Sequence, residues 1–332
     1  MYKIKESRKF RYKEYPEKVS DDLTVFQSAQ LQKNYSKNVL FYAIQKRMRY
    51  RVFEVYDEDR LVLIFPAYVG DNIVELAGNN SGISTLSPVF FQSTSEYFEE
   101  TFDFLLTNMN YYQFSFGRVI ENSRFASYLE SLKKYSICKE IVQNVKIMFD
   151  KCYEYWFSSL RKSVKQNLRT AYNRIMKDGL EYEIQFYNGG EIPKELLENL
   201  VDIYNRRHSE HYGIKTSILK KFYMQHLDFS TRDLYENHDA RHCVLYIDHK
   251  IAAFYSGYYD IGTNSVVIPR LSIDTNFSRY SPGYVLLNEA IKYFSTNKLI
   301  NCIDLTTGTE KYKMDLGGMV YNRINFNLTR NK

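Results

Sequence analysis

The run from Arg279 to Leu287 holds the residues whose types and spacing best fit the binding of an anion. Ser281 suits the cap of a helix and Pro282 its first position, where the missing N–H of proline costs nothing. Gly283 follows and would let a ligand approach the backbone closely. A helix start attracts phosphate or carboxylate through its free N–H groups and its partial positive charge. Arg279 would add a charged contact, although a capped helix without any ligand would carry the same residues.

A second cluster, residues 304–313, combines acids, bases and a glycine at the end of an expected strand. Asp304 and Glu310 could accept a proton, whereas Tyr312 and Lys313 could donate one or hold an anion. Loops that follow strands often hold the active-site groups of open α/β sheets. A structural role suits the same residues, with Glu310 and Lys313 as a surface pair and Tyr312 packed in the core. The residue types leave both interpretations open.

All six histidines lie between residues 208 and 249. His208 and His211 are one turn apart at the end of an expected helix, and His238 and His242 have the spacing of metal ligands. No cysteine or carboxylate completes a recognisable zinc pattern, so we expect no metal site. We expect His208 or His211 to contact the substrate or to move a proton. The sequence contains no phosphate-loop, dinucleotide-binding, nucleophile-elbow or zinc-protease signature.

Composition narrows the class of protein. The chain has 332 residues, of which 44% are hydrophobic and 25% charged, and this is ordinary for a globular protein of about two domains. Its longest apolar run, residues 61–69, is far shorter than the roughly 20 residues that span a bilayer. The four cysteines are scattered and no signal peptide is evident, so we expect a cytoplasmic protein. The 31 tyrosines could stack on bases or sugars, but biased codon use explains them as well.

Positive charge is concentrated in two segments. Residues 1–18 hold seven Lys or Arg against three Glu, and residues 154–179 hold six against two acidic residues. Such segments attract the phosphates of a nucleotide, a nucleic acid or a membrane surface, or they simply face solvent. Arg161 and Arg169, in the second segment, are candidates for contact with the substrate.

The second basic segment also organises the chain, because residues 154–178 have the pattern of one long helix. Its apolar stripe recurs at steps of three or four and consists of Trp156, Leu160, Val164, Leu168, Ala171 and Ile175. We expect an N-terminal domain over residues 1–150, a linking helix over 151–180 and a C-terminal domain over 181–332. The C-terminal pattern β-α-α-β-β-β-α-β-α-β predicts a mixed α/β domain with a helix-covered sheet. The N-terminal pattern repeats this order less clearly, which indicates two copies of one unit.

Together these segments resemble the GNAT (GCN5-related N-acetyltransferase) superfamily, and more narrowly its CelD/BcsL-like branch, whose members carry two GNAT-like units. The resemblance covers residues 153–318 well and depends on the order of short motifs. Those motifs are Trp156-Phe157, Leu160-Arg161, Asn167-Leu168-Arg169, Ser281-Pro282-Gly283-Tyr284, Leu286-Leu287, Asp304-Leu305-Thr306-Thr307-Gly308 and Glu310-Lys311-Tyr312-Lys313. The resemblance implies tandem acyl-CoA N-acyltransferase folds, the N-terminal one degenerate and serving the acceptor or the structure.

The resemblance also implies acetyl-CoA or another acyl-CoA as co-substrate and no metal. The pantetheine arm would run beside the strand that contains Arg270 and Ser272, and the pyrophosphate would rest on the N–H groups from Ser281 to Tyr284. The acceptor would be an amine, of an amino sugar or an envelope-polysaccharide precursor, in a bacterial cytoplasm. Expected partners are this acceptor and other envelope-biosynthesis enzymes, with no DNA and no transmembrane segment.

The family resemblance assigns chemical roles as well. Tyr312 would protonate the departing thiolate, because it matches the position where the superfamily often keeps a tyrosine. Asp304 or Glu310 would deprotonate the incoming ammonium, and Lys313 would hold an anionic part of the acceptor. The acceptor would enter between the two units, beside the basic linking helix.

Two alternatives remain open. The related FemABX-like proteins also have two GNAT-like units but take the acyl group from aminoacyl-tRNA, and the basic helix would then face RNA. A non-catalytic glycan-binding or scaffold protein could keep the fold and use its tyrosines for sugar contacts. Binding of CoA, of tRNA, or of a glycan without either would distinguish the three.

Overall fold

The computed structural model describes residues 1–12, 25–37, 47–77, 89–90, 98–149, 152–212, 240–260, 263–298 and 300–331. Their contacts divide the chain into unit 1, residues 1–142 and 322–332, and unit 2, residues 143–321. The second helix of the predicted C-terminal pattern, expected over about residues 217–227, lies outside the described residues, as does His238. None of the helices in the described part of the chain is long and apolar enough to cross a membrane.

Unit 1 is a mixed sheet with helices packed against it. Its strands are β1 (Tyr2–Ser7), β2 (Arg49–Asp57), β3 (Arg60–Val69), β4 (Ile73–Leu76), β5 (Val89–Phe90), β6 (Gln113–Ile120), the first part of β7 (Tyr135–Met148) and the last part of β13 (Met319–Arg330). Its helices are a 3-10 turn (Val25–Gln27), α1 (Ala29–Lys37), α2 (Phe98–Asn108) and α3 (Arg124–Ser131). The strand order is β1-β2-β3-β4-β6-β13. Strands β4 and β6 run parallel, whereas the other neighbours in this order are antiparallel.

The last strand of the chain joins unit 1, although its position in the sequence predicts a place in the C-terminal domain. Residues 323–329 of β13 pair antiparallel with β6, and Phe326 and Leu328 are buried in the unit 1 core. The contacts therefore divide the chain inside β7 and inside β13. Alternating apolar residues predict a strand but not the sheet that it joins, because the partner is distant in sequence.

The strands of unit 2 likewise form mixed β-structure flanked by helices, so the predicted fold class is confirmed. Its strands are the last part of β7, β8 (Tyr182–Asn188), β9 (Ala240–Ile247), β10 (Lys250–Asp260), β11 (Ser265–Ile273), β12 (Cys302–Thr307) and the first part of β13. Its helices are α4 (Tyr153–Ser159), α5 (Lys162–Lys177), α6 (Lys194–Tyr212), a 3-10 helix (Thr275–Tyr280), α7 (Pro282–Thr296) and α8 (Lys311–Asp315). The order β7-β12-β11-β10-β9-β8 contains one parallel pair, β11 with β12.

The single helix predicted for residues 154–178 is wrong, because α4 and α5 are separate. Leu160 and Arg161 are extended between them, with ψ of 148° and 146°. The side chains of Ser158 and Ser159 donate to the carbonyls of the third residue before each, at 2.8 and 2.7 Å. Serine hydroxyls that bind backbone carbonyls compete with helix continuation. The predicted apolar stripe is nevertheless buried in the unit 2 core.

Candidate functional site

Two parallel strands of unit 2 pair over three residues and then separate. Residues 265–267 of β11 pair with residues 302–304 of β12, and the described residues contain no further pair between these strands. Beyond this point, residues 268–273 and 305–307 lie on opposite sides of a gap. The gap is at the carboxyl ends of the parallel strands, where open α/β sheets hold their ligands.

A bulge in β11 accompanies the separation. Ser256 of β10 pairs with Arg270 and Tyr258 with Val267, so two residues of β11 face one residue, Gly257, of β10. A Cβ atom at Gly257 would lie 2.3 Å from the carbonyl oxygen of Val267, which excludes any other residue at this position. The bulge redirects the end of β11, as bulges beside active sites commonly do.

The gap opens into a cavity of about 540 Å³, a volume within the roughly 300–1,000 Å³ of ligand clefts. Its wall combines the end of α6, β11, the start of α7 and the segment from β12 to α8. The predicted site residues that line it are Ser272, Ser281, Pro282, Gly283, Tyr284, Glu310, Tyr312 and Lys313. The two clusters that the sequence analysis singled out are therefore brought to one cavity.

Helix α7 begins at Pro282 as predicted, but its start offers fewer N–H groups than the sequence predicts. Ser281 is left-handed, with φ 48° and ψ 51°, and its side chain caps no N–H. The Ser281 N–H donates to Ser278 O and the Tyr284 N–H to Ser281 O, both at 3.0 Å, and proline has none. Among the described residues, only the N–H of Gly283 in this turn has no backbone partner.

The two arginines predicted to bind the cofactor lie outside the cavity wall. Arg279 pairs with Asp178 at 3.0 Å, and its guanidinium lies 5.2 Å from the centre of the Tyr280 ring. Arg270 is only 8% exposed and lies 5.1 Å from the centre of the Tyr204 ring. Both are held by neighbouring side chains, which sequence spacing alone does not reveal.

The two arginines predicted to bind the substrate also lie outside the cavity wall. Arg161 is exposed, and its Nη2 lies 3.7 Å from Asp315 Oδ1. Arg169 is exposed on α5. His208 and His211 belong to α6, but their side chains are outside the described part of the structure.

Tyr312 lies on the cavity wall and is half-buried. The described residues provide no hydrogen-bond partner for its hydroxyl. Burial, and then the Glu310 carboxylate, raise the pKa of Tyr312 above the usual 10.0. Tyr312 is therefore a protonated phenol at neutral pH that can donate a hydrogen bond to a ligand.

Lys313 lines the cavity and also supports the loop beside it, while its predicted role in acceptor binding stays a prediction. It is 3% exposed, and its Nζ donates to Thr307 O at 2.6 Å and to Gly308 O at 3.3 Å. The third partner is Glu310 Oε2 at 2.9 Å, and an ammonium has three donors. Gly308 has φ +97°, and a Cβ atom added to it would lie only 2.6 Å from Glu310 Oε2. Lys313 and Glu310 therefore hold this loop in shape.

Asp304 does not face the cavity, contrary to its predicted role as a base. Its carboxylate accepts from the backbone N–H of Thr306 at 2.8 Å and from the hydroxyl of Tyr321. It thereby stabilises the left-handed Thr306, φ 57°, a conformation that is unfavourable for a β-branched residue. Glu310 is the one carboxylate among the described residues of the wall.

Three residues that the sequence analysis missed complete the site. Tyr204 and Arg207, from the end of α6, line the cavity, and nothing in their spacing indicates it. Asp315 accepts a hydrogen bond of 2.9 Å from the hydroxyl of Tyr284 on the wall. Burial, and then Asp315, raise the pKa of Tyr284 to about 12. Asp315 also pairs with Lys311. The spacing of four residues within α8 could have predicted this ion pair from the sequence.

Comparison with known proteins gives a family match for part of the chain. Residues 162–314 match the family model described as an acetyltransferase (GNAT) domain. No curated protein sequence matches the chain.

Solved structures share the fold over both units. FemX is 9% identical, with 91% of each chain covered and a TM-score of 0.57. A conserved protein of unknown function from Bacteroides thetaiotaomicron is 11% identical, with 90% of each chain covered and a TM-score of 0.56. L-PGS from Bacillus licheniformis is 12% identical, with 85% of this chain and 84% of that chain covered and a TM-score of 0.51. Identities this low show a common fold, and the CelD/BcsL-like branch stays a prediction.

Proposed function

From the GNAT-type acyltransferase domain formed by residues 162–314, we propose that this protein transfers an acyl group from acyl-CoA to an amine. The acceptor is an amino sugar or a precursor of an envelope polysaccharide. The observation that carries the proposal is the separation of β11 from β12 beside the free N–H of Gly283. An extended thioester arm with amide groups can pair with the vacated edge of β11 as an added strand would.

The volume of the cavity supports acyl-CoA as the donor, and its positive charge supports it more weakly. Its 540 Å³ are sufficient for the acyl group and the inner part of the arm. The Gly283 N–H and the positive end of the α7 dipole favour a phosphate at the helix start. Arg207, on the same wall, adds one positive charge.

The side chains on the wall suit the chemistry of acyl transfer. The amine must be neutral when its nitrogen attacks the carbonyl carbon, and Glu310 is the wall carboxylate that can take its proton, directly or through water. As the C–N bond forms, the C–S bond breaks and negative charge develops on sulfur. A thiol has a pKa of about 8.5, well below that of Tyr312, so Tyr312 stabilises the thiolate by a hydrogen bond rather than by giving up its proton.

Thermal unfolding with and without acetyl-CoA tests the donor. A ligand that binds the folded state raises the midpoint, and the shift grows with ligand concentration. We expect such a shift with acetyl-CoA and none with adenosine alone. An unchanged midpoint at saturating acetyl-CoA contradicts the proposal.

A second candidate is transfer from aminoacyl-tRNA, as in the FemABX-like alternative. Two observations favour it: the start of α7 offers one free N–H where a pyrophosphate would use several, and α5 carries exposed basic side chains. These are Lys162, Arg169, Arg174 and Lys177. A row of positive charges attracts the RNA backbone in a salt-dependent way.

Binding of unfractionated tRNA, measured at several salt concentrations, separates the candidates. Under the tRNA candidate, Lys162→Glu together with Arg169→Glu weakens binding and reduces the salt dependence by about two counterions. Under the acyl-CoA proposal the same double variant leaves the acetyl-CoA shift unchanged.

A further inference from the structure

Unit 1 contains a cavity of its own, about 660 Å³ in volume. It lies between β1, β2, the end of α2 and the loop that follows α2, and every residue that lines it belongs to unit 1. The volume is in the range of roughly 300–1,000 Å³ that small-molecule clefts have. No part of the acyl-transfer proposal uses this cavity.

Aromatic rings form the apolar part of its wall. Tyr2, Phe104 and Tyr111 line the cavity and are each half-buried, so that part of every ring is open to a ligand. The rings of Tyr2 and Phe104 contact each other at 5.4 Å with a tilt of 43°. Phe53, only 4% exposed, lies behind them. Such ring faces suit the apolar face of another ring.

Planar polar groups lie at the same wall. Glu6 accepts from Arg51 Nε at 2.6 Å, and half of the Glu6 side chain is exposed. Burial, and then Glu6, raise the pKa of Tyr111, so the phenol remains protonated beside this ion pair. Asn108 donates to Phe104 O at 2.8 Å, which leaves its side-chain oxygen available as an acceptor. A carboxylate, a phenol and an amide are therefore within one cavity.

The charges at the wall nearly cancel. Among the lining residues Lys3 is opposed by Glu6, and Glu6 is itself paired with Arg51, which does not line the cavity. A phosphate or a polyanion needs several cations or a helix start to offset its charge. The ligand class that fits is neutral, with an apolar ring face and many hydroxyl groups.

We propose that this cavity binds a neutral saccharide. A pyranose ring lies against Tyr2 and Phe104, while its hydroxyl groups bond to Glu6, Tyr111 and Asn108. The site is independent of the acyl donor and gives unit 1 a binding function of its own. An acceptor that is part of a glycan would then bind to unit 1 as well as to the acyl-transfer cavity of unit 2.

Isothermal titration of the full chain, without any acyl donor, tests the proposal. The probes are the tetrasaccharides of β-1,4-linked glucose, β-1,4-linked N-acetylglucosamine and α-1,4-linked glucose. At least one should bind, and Tyr111→Phe and Glu6→Gln should each weaken it about tenfold, as the loss of one hydrogen bond does. Tyr112→Phe is the matched control, because Tyr112 is 40% exposed and does not line the cavity.

The opposite results overturn the proposal. They are the absence of binding by all three probes, or affinities that Tyr111→Phe and Glu6→Gln leave unchanged. Tighter binding of the anionic tetragalacturonate than of any neutral probe would also overturn it. Gly283→Glu, in unit 2, should not change the saccharide affinity. Failure of acetyl-CoA binding therefore leaves this inference intact, and failure of saccharide binding leaves the acyl-transfer proposal intact.

Discussion

Within the described residues each unit has one pair of parallel strands, and the two pairs differ in what lies beyond them. In unit 1, residues 73–75 of β4 pair with residues 113–115 of β6. The next residue of β6, Phe116, is buried, and its ring is 5.4 Å from Phe125, 6.0 Å from Phe102 and 6.3 Å from Phe65. In unit 2 the pairing is equally short, but the next residues of β12 line a cavity.

The same backbone arrangement, a short pair of parallel strands, is therefore followed by a packed core in unit 1 and by a cavity in unit 2. Large rings beyond the parallel pair turn the place into a core, whereas leucine and two threonines leave room for a ligand. Packed interiors tolerate few voids, so the cavity in unit 2 requires the support of the Lys313–Glu310 pair and the Asp304–Thr306 turn. Four substitutions test this contrast.

Phe116→Ala should have the largest effect, a loss of stability, since it removes a buried ring from the unit 1 core. Phenylalanine to alanine in a core costs about 3–5 kcal/mol, whereas Thr307→Ala at the cavity should cost less than about 1 kcal/mol. Denaturant unfolding followed by circular dichroism measures both. Equal losses of stability would contradict the distinction between core and site.

Tyr312→Phe should have the next largest effect, on the reaction. Removal of a hydrogen-bond donor to developing charge lowers kcat by about 10²-fold, while acetyl-CoA affinity should change little. Single-turnover kinetics with acetyl-CoA and an amino-sugar acceptor measure the chemical step. An unchanged rate would leave Tyr312 a packing residue only.

Gly283→Glu should weaken acetyl-CoA binding by about tenfold or more, because it adds bulk and negative charge where a phosphate is expected. The fold should survive, since a Cβ at this position would meet only Ile273 Cγ2, at 3.4 Å. Gly283→Ala is the control and should retain most of the affinity. Calorimetric titration gives both constants, and equal affinities for wild type and Gly283→Glu would reject this phosphate position.

Asp315→Asn should have the smallest effect, and it should depend on pH. Burial opposes ionisation, but Lys311, Tyr284 and Arg161 together lower the pKa of Asp315 below 3.8. A carboxyl with a lowered folded pKa stabilises the protein above its unfolded pKa, and the contribution disappears as pH falls through the folded pKa.

The difference in unfolding free energy between wild type and Asp315→Asn should therefore be largest near neutral pH, at about 1 kcal/mol or less. It should shrink below about pH 4. Thermal unfolding between pH 3 and 7 measures it. A difference that grows toward low pH would mean that the carboxylate is not stabilised by its neighbours.

Local signals account for what could be predicted from the sequence. Pro282 and Gly308 mark the start of α7 and a left-handed turn, because proline fixes φ near the helical value and glycine permits a positive φ. The mixed α/β class follows from the apolar periodicities. Both chemical clusters were recognised for the same reason, since each is contiguous in sequence.

Distant partners account for what could not be predicted. The strand β1 is only six residues long, and the first nine residues of β7 have weak apolar alternation, so both depend on neighbouring strands. Asp178 engages Arg279 from about a hundred residues away. Tyr321 likewise donates a hydrogen bond to Asp304. This carboxylate, a candidate base in the sequence, therefore stabilises the Thr306 turn. Residue type indicates what a side chain can do, but its neighbours decide whether it is available.

The division inside β13 has a consequence for the order of folding during synthesis. Unit 1 begins the chain, yet its sheet needs residues 323–329 beside β6, and these are made after all of unit 2. A ribosome-bound chain that has finished unit 2 still has a bare strand edge in unit 1, a known cause of aggregation. The unit that is synthesised first is therefore completed last, and a fragment ending near residue 150 would keep that edge exposed.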